Sequence, residues 1–70
     1  MLGEELRKAR EEANLTQEEL SFRTGVHRTY VGILERDLKS PTLDVLSRLC
    51  EAIGIRTSEL IARVERADGR

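Results

Sequence analysis

Seventy residues hold one small domain, and 39% apolar against 36% charged residues give it a core without great depth. The only aromatics are Phe22 and Tyr30, so the core is aliphatic, and the single Cys50 excludes a disulfide framework or cysteine-based zinc site within one chain. A formal net charge of −1 weighs mildly against nucleic acid, although bases lead across residues 21–40, where Arg23, Arg28, Arg36 and Lys39 face Glu35 and Asp37.

Leu2, Leu6, Ala9 and Ala13 recur at helical spacing and mark a first helix. Asn14 follows, a residue that tolerates the left-handed stop. Arg10 sits on or beside the apolar stripe. It either needs a carboxylate partner, because an unpaired buried charge costs several kcal/mol, or it snorkels to water along the stripe edge.

A second helix opens on the capping box Thr16 to Glu19, with Leu15 and Leu20 as its hydrophobic staple. It runs to about Thr24, and Gly25 is its left-handed terminator. Helical position puts Phe22 near the surface, toward the corner with the next helix. A third helix begins near His27 behind Val26. Val31, Leu34 and Glu35 share its inner face, while Thr29, Gly32, Ile33 and Arg36 project the other way. An inward glutamate and an inward arginine are expected to pair; two independently solvated charges are the alternative.

Residues 37–40 read as a loop. In "SPTLD" Thr42 is the cap of a fourth helix, with Ser40 before Pro41 as runner-up. Leu43, Leu46, Leu49, Cys50 and Ile53 are assigned to its inner face, and Gly54 stops it. Cys50 is read as a core residue, not a redox sensor. A fifth helix, Thr57-capped, is expected over 58–66, with Leu60, Ile61 and Val64 apolar. Residues 1–66 thus form the domain and 67–70 a mobile tail.

The lone His27, with no phosphate loop and no nucleophile beside a base, leaves little for an enzyme. No run of about 18 apolar residues and no leader are present, so neither membrane span nor signal peptide is expected. A reducing, cytoplasmic location fits, with no cofactor, metal or small-molecule ligand.

The break at Gly25 between two short helices makes a helix-turn-helix unit, whose second helix can protrude. A helix about 10–12 Å across fits a DNA major groove about 12 Å wide. The run "LTQEELSFRTGVHRTYVGILERDLKSPTLDVLSRLCEAIGI" resembles the Cro and phage-repressor family of regulators. The likeness extends from Leu6 to Leu60 and rests on "LTQEEL", "TGV", "VGILE", "SPTLDVL" and "AIGI" in order. "HRTYVG" and "LER" look most like controller proteins of restriction–modification systems.

The resemblance implies an all-α, compact five-helix bundle of the lambda-repressor-like type. It implies a homodimer on a pseudo-palindromic operator and an ion pair matching Arg10 and Glu35. Asn14 and Asp37 stand where the family often has glycine, and His27 is a poorer N-cap than its usual serine, threonine or aspartate.

On that footing base reading falls to Arg28, Thr29, Gly32 and Ile33, with Arg28 suited to guanine. Phosphate contacts fall to Gln17, Arg23, His27, Tyr30, Arg36, Lys39 and Ser40. Tyr30 is equally a packing aromatic, and Ile33 can pack against its neighbours. Ile55, Leu60, Ile61 and Val64 are assigned to the dimer interface. The rival function is a helical protein-interaction module, an antitoxin or adaptor, that keeps the fold without reading DNA.

Overall fold

The computed structural model describes residues 1–69, and they fold into five helices: α1 (Leu2–Glu12), α2 (Gln17–Thr24), α3 (Arg28–Glu35), α4 (Leu43–Ile53) and α5 (Thr57–Ala67). The architecture is the all-helical five-helix domain expected. Helix α1 packs on α3 and α5, α2 on α3 and α4, and α4 on α5. Leu6, Leu20, Val31, Leu34, Leu49, Cys50 and Leu60 meet in the centre with almost no exposed surface. No helix among the described residues is long and apolar enough to cross a membrane.

Local chemistry sets the boundaries of the helix-turn-helix. The Thr16 hydroxyl accepts from Glu19 N–H at 3.0 Å, and the Glu19 carboxylate accepts from Thr16 N–H at 2.8 Å. The backbone N–H of Thr16, helped by its hydroxyl, holds the Glu19 carboxyl below the usual carboxylate range. Gly25 ends α2 at φ +76°, and Asn14 and Asp37 adopt φ of +60° and +58°. The Asp37 side chain also reaches α1. Its Oδ1 accepts from Gly3 N–H at 2.8 Å, satisfying a free amide in the first turn of that helix.

Gly3 explains how closely the two helices meet. A Cβ there would lie 2.7 Å from the Glu35 carbonyl oxygen and closer still to that of Leu34. The first turn of α1 therefore rests directly on the backbone at the end of α3.

Three expectations need correcting. Leu43 is 74% exposed, because it is the first residue of α4 and that turn extends beyond the core. Thr57 is not a cap; it is the first residue of α5, and its side chain hydrogen-bonds the Cys50 thiol, while Arg56 occupies the cap position. Burial nevertheless pushes the Cys50 thiol up, against the effect of that hydrogen bond. Helix α5 continues to Ala67, one residue past the expected boundary, and Arg70 lies outside the described residues.

Candidate nucleic-acid interface

Helix α3 has two unlike faces. Val31, Leu34 and Glu35 are buried, whereas Arg28, Thr29 and Arg36 are exposed. Positions 28, 29, 32, 33 and 36 lie along one side of a helix with 3.6 residues per turn. Gly32 is half-buried on that side, and a Cβ built on it would meet only Gln17, at 3.6 Å and 3.8 Å. That is ordinary contact, so no clash within the chain requires glycine there. Ile33 and Tyr30 are each half-buried, and Tyr30 packs against the central cluster.

The start of α3 is capped by an unusual residue. His27 Nδ1 accepts from Thr29 N–H at 3.1 Å, in place of the serine or threonine oxygen more common there. The other ring nitrogen, Nε2, takes no part in that cap. His27 is exposed, and that second nitrogen is left for other partners.

The inner end of α3 is fixed by an ion pair. Arg10 Nε donates to Glu35 Oε2 at 2.6 Å and Arg10 Nη2 to Glu35 Oε1 at 3.0 Å, with both residues buried. Arg10 Nη1 donates to the Leu15 carbonyl at 2.7 Å, so one guanidinium joins α1, the α1–α2 loop and α3. Hydrogen bonding to Glu35 strengthens the hold of the guanidinium on its proton, with burial acting in opposition. No buried side-chain nitrogen or oxygen among the described residues lacks a partner.

The remaining basic and polar groups surround α3. Arg28 Nη1 lies 4.0 Å from Glu18 Oε2, a solvent-exposed pair of little energetic weight. Arg36 Nε donates to the Gly32 carbonyl at 3.2 Å. Arg23, Lys39 and Ser40 are exposed. Gln17 departs from a simple surface role, because its Nε2 donates to Glu35 Oε1 at 3.0 Å. Phe22 covers nothing: it is 91% exposed on the outside of α2, beside Glu18, Glu19 and Arg23.

A helix-turn-helix family model matches residues 6–60. The chain belongs to the Cro and phage-repressor type of helix-turn-helix family. It is thus of a family of DNA-binding transcriptional regulators and not of enzymes. It is 38% identical over 63 residues to the control protein C.SmaI of Serratia marcescens, covering 90% of this chain and 75% of that one. With the control protein C.BamHI of Bacillus amyloliquefaciens the identity is 31% over 62 residues, covering 87% and 76%. The crystal structure of the restriction–modification controller protein C.AhdI from Aeromonas hydrophila superimposes with a TM-score of 0.81 at 37% identity, covering 84% of this chain and 89% of that one.

In this helix-turn-helix domain the surfaces assigned to dimerisation do not all survive. Leu60 is 0% exposed within the single chain, at the centre of the core, and has no area to offer a partner. Ile61 is 38% exposed, while Ile55 and Val64 are half-buried. Helical period puts Leu60, Ile61 and Val64 on apolar stripes but cannot separate the stripe facing inward from its edge, and Ile55 lies in the loop between α4 and α5. The link from Gln17 to Glu35 was also missed. Spacing within one helix carries no signal for a contact between two.

Proposed function

We propose that residues 1–66 are the DNA-binding domain of a cytoplasmic regulator that binds a pseudo-palindromic operator as a homodimer, with α3 in the major groove. The observation that carries this is the division of α3: its inner face is locked to the core, and its outer face presents Arg28, Thr29 and a glycine that no intramolecular clash requires. Arg28 reads guanine through a bidentate contact, Thr29 reads a neighbouring base, and Gly32 admits close approach of the groove. Ile33 meets a thymine methyl with the part of its side chain left in solvent. Arg23, His27, Arg36, Lys39 and Ser40 meet phosphates around the helix, as do the amides in the first turn of α2 at Gln17, and Tyr30 adds its hydroxyl.

An α3 of eight residues is about 12 Å long and reaches only a few base pairs. Two copies about 34 Å apart double the site, and Ile55, Ile61 and Val64 supply the apolar surface between them. The names of the similar control proteins support a controller role. Selection from a random duplex pool, followed by mobility shift and sedimentation, tests the whole reading. A two-fold symmetric consensus bound by two chains is expected. Enrichment of no sequence would return the lead to a protein-interaction module, for which the bare Phe22 is the supporting observation.

A further inference from the structure

We infer that Asp37 is a positioning residue for the phosphate-holding loop: its carboxylate ties the segment that carries Lys39 and Ser40 to the first turn of α1. This rests on the DNA-binding function proposed above. Asp37 follows α3 in a left-handed conformation, at φ +58°. Its N–H donates to the Leu34 carbonyl at 3.1 Å, and the next N–H, of Leu38, donates to the Ile33 carbonyl at 3.1 Å. Those two bonds close a helix on a left-handed residue, a position that glycine fills with the least strain. The backbone alone therefore gives no reason for an aspartate here.

The reason lies on another helix. Asp37 Oδ1 accepts from Gly3 N–H at 2.8 Å, across 34 residues of sequence. The first N–H groups of α1 have no intrahelical partner, and the positive end of a helix favours a carboxylate. Met1 stands at the cap position of α1 and makes no side-chain cap bond, so Asp37 supplies what α1 lacks locally. The bond also settles where the carboxylate does not go. Lys39 is only two residues on, yet among the described residues neither Asp37 nor Lys39 joins an ion pair. A pair between them would cancel the charge that the loop offers to a phosphate; with the acid turned to α1, the ammonium is left whole. Residues 36–40 are exposed, and their two main-chain bonds run back only to α3. The Gly3 bond is a second anchor on a different helix, so the loop leaves α3 in one direction. A loop already held loses less freedom when it meets DNA than one that swings about the helix end.

The test compares Asp37→Gly with Asp37→Asn. Both remove one negative charge and both accept the left-handed backbone, but only asparagine keeps an oxygen for Gly3. Each variant, with and without Lys39→Ala, is measured on the selected duplex and on a scrambled duplex across a salt series, well below its unfolding midpoint. Asp37→Gly is expected to bind both duplexes about three- to fivefold more weakly than Asp37→Asn, with a shallower salt dependence. The penalty of Lys39→Ala should shrink in the Asp37→Gly background and persist in Asp37→Asn. A cap with no bearing on the loop would lower the unfolding midpoint of Asp37→Gly and move none of these readings. Equal binding by the two variants, tighter binding by Asp37→Gly, or a Lys39→Ala penalty unchanged between them overturns the inference. If Lys39→Ala has no effect in the wild-type chain, the phosphate role of the loop itself fails and takes the inference with it, so the two failures are told apart. Hydrogen exchange gives an independent check: the Gly3 amide should exchange slowly in wild type and Asp37→Asn and fast in Asp37→Gly. Equal exchange in all three would mean there is no tether to lose, and the proposal would fall.

Discussion

Arg10 and Glu35, 25 residues apart in sequence, meet through two hydrogen bonds with nearly all of both side chains out of water. Such a pair is costly to break from one side, because the survivor keeps its charge without its partner. Glu35→Ala is expected to cost about 3–5 kcal/mol in urea unfolding, and Arg10→Met a comparable amount. The double variant Arg10→Met with Glu35→Leu should lose far less than the sum. Additive losses below about 0.5 kcal/mol each would mean that both side chains are solvated.

Two helical glycines should respond in opposite directions. Gly3→Ala drives a methyl into the carbonyl oxygens of Leu34 and Glu35, which are backbone and cannot turn aside. A loss of about 1–3 kcal/mol is expected. Gly32→Ala meets only Gln17 at an ordinary distance, so it should stabilise α3 by about 0.5–1 kcal/mol while weakening DNA binding. Thermal unfolding and mobility shift on the same pair separate the two effects.

The contrast between those glycines shows where the sequence was readable. Caps and stops that depend on neighbours in the chain were legible: Thr16 with Glu19, Gly25, Thr42 and Gly54 all stand as expected. So was the ion pair, because a charge on an apolar stripe announces a need. Gly3 gave no such signal, since its importance lies in the approach of a segment more than 30 residues away. Asp37 read only as a residue tolerant of left-handed backbone, yet its carboxylate also caps α1. Leu43 and Leu60 have the same side chain on apolar stripes, but position at the end or middle of a packed element decides which is buried.

His27 caps α3 through Nδ1, and the shorter Asn side chain places an acceptor in much the same position. His27→Ala should cost about 0.5–2 kcal/mol, and His27→Asn should recover most of it. If His27→Asn nonetheless binds DNA more weakly than wild type, the Nε2 side of the ring is the part that meets phosphate. Equal binding by His27→Asn and wild type would confine the residue to capping.

Leu60 and Ile61 are adjacent but should fail differently. Leu60→Ala opens the core and is expected to cost about 2–5 kcal/mol in the single chain. Ile61→Ser should leave the unfolding of the isolated chain nearly unchanged and shift the monomer–dimer equilibrium toward monomer. Sedimentation across a concentration series reads the second effect, and an unshifted equilibrium would move the interface elsewhere.

On the proposed function, Arg28 and Lys39 divide reading from holding. Arg28→Ala should cost about 1–3 kcal/mol on the selected duplex and relax preference at one base per half-site. Lys39→Ala should weaken selected and scrambled duplexes alike and flatten the salt dependence by roughly one unit per chain. A salt series with both variants checks the assignment; reversal of the two patterns would relocate the recognition surface.

The guanidinium of Arg10 reaches both the Leu15 carbonyl and Glu35, and Asp37 holds the first turn of α1. The helix-turn-helix is consequently not a cassette that can be cut out and transplanted. A graft of residues 15–40 would arrive with a buried carboxylate stripped of its counter-charge and an aspartate with nothing to cap. On the same proposed function, what can be exchanged is the outer half of α3, side chain by side chain. On the proposed function, new operators are reachable by repainting that surface, while the Arg10–Glu35 and Gly3–Asp37 links beneath it stay with the host.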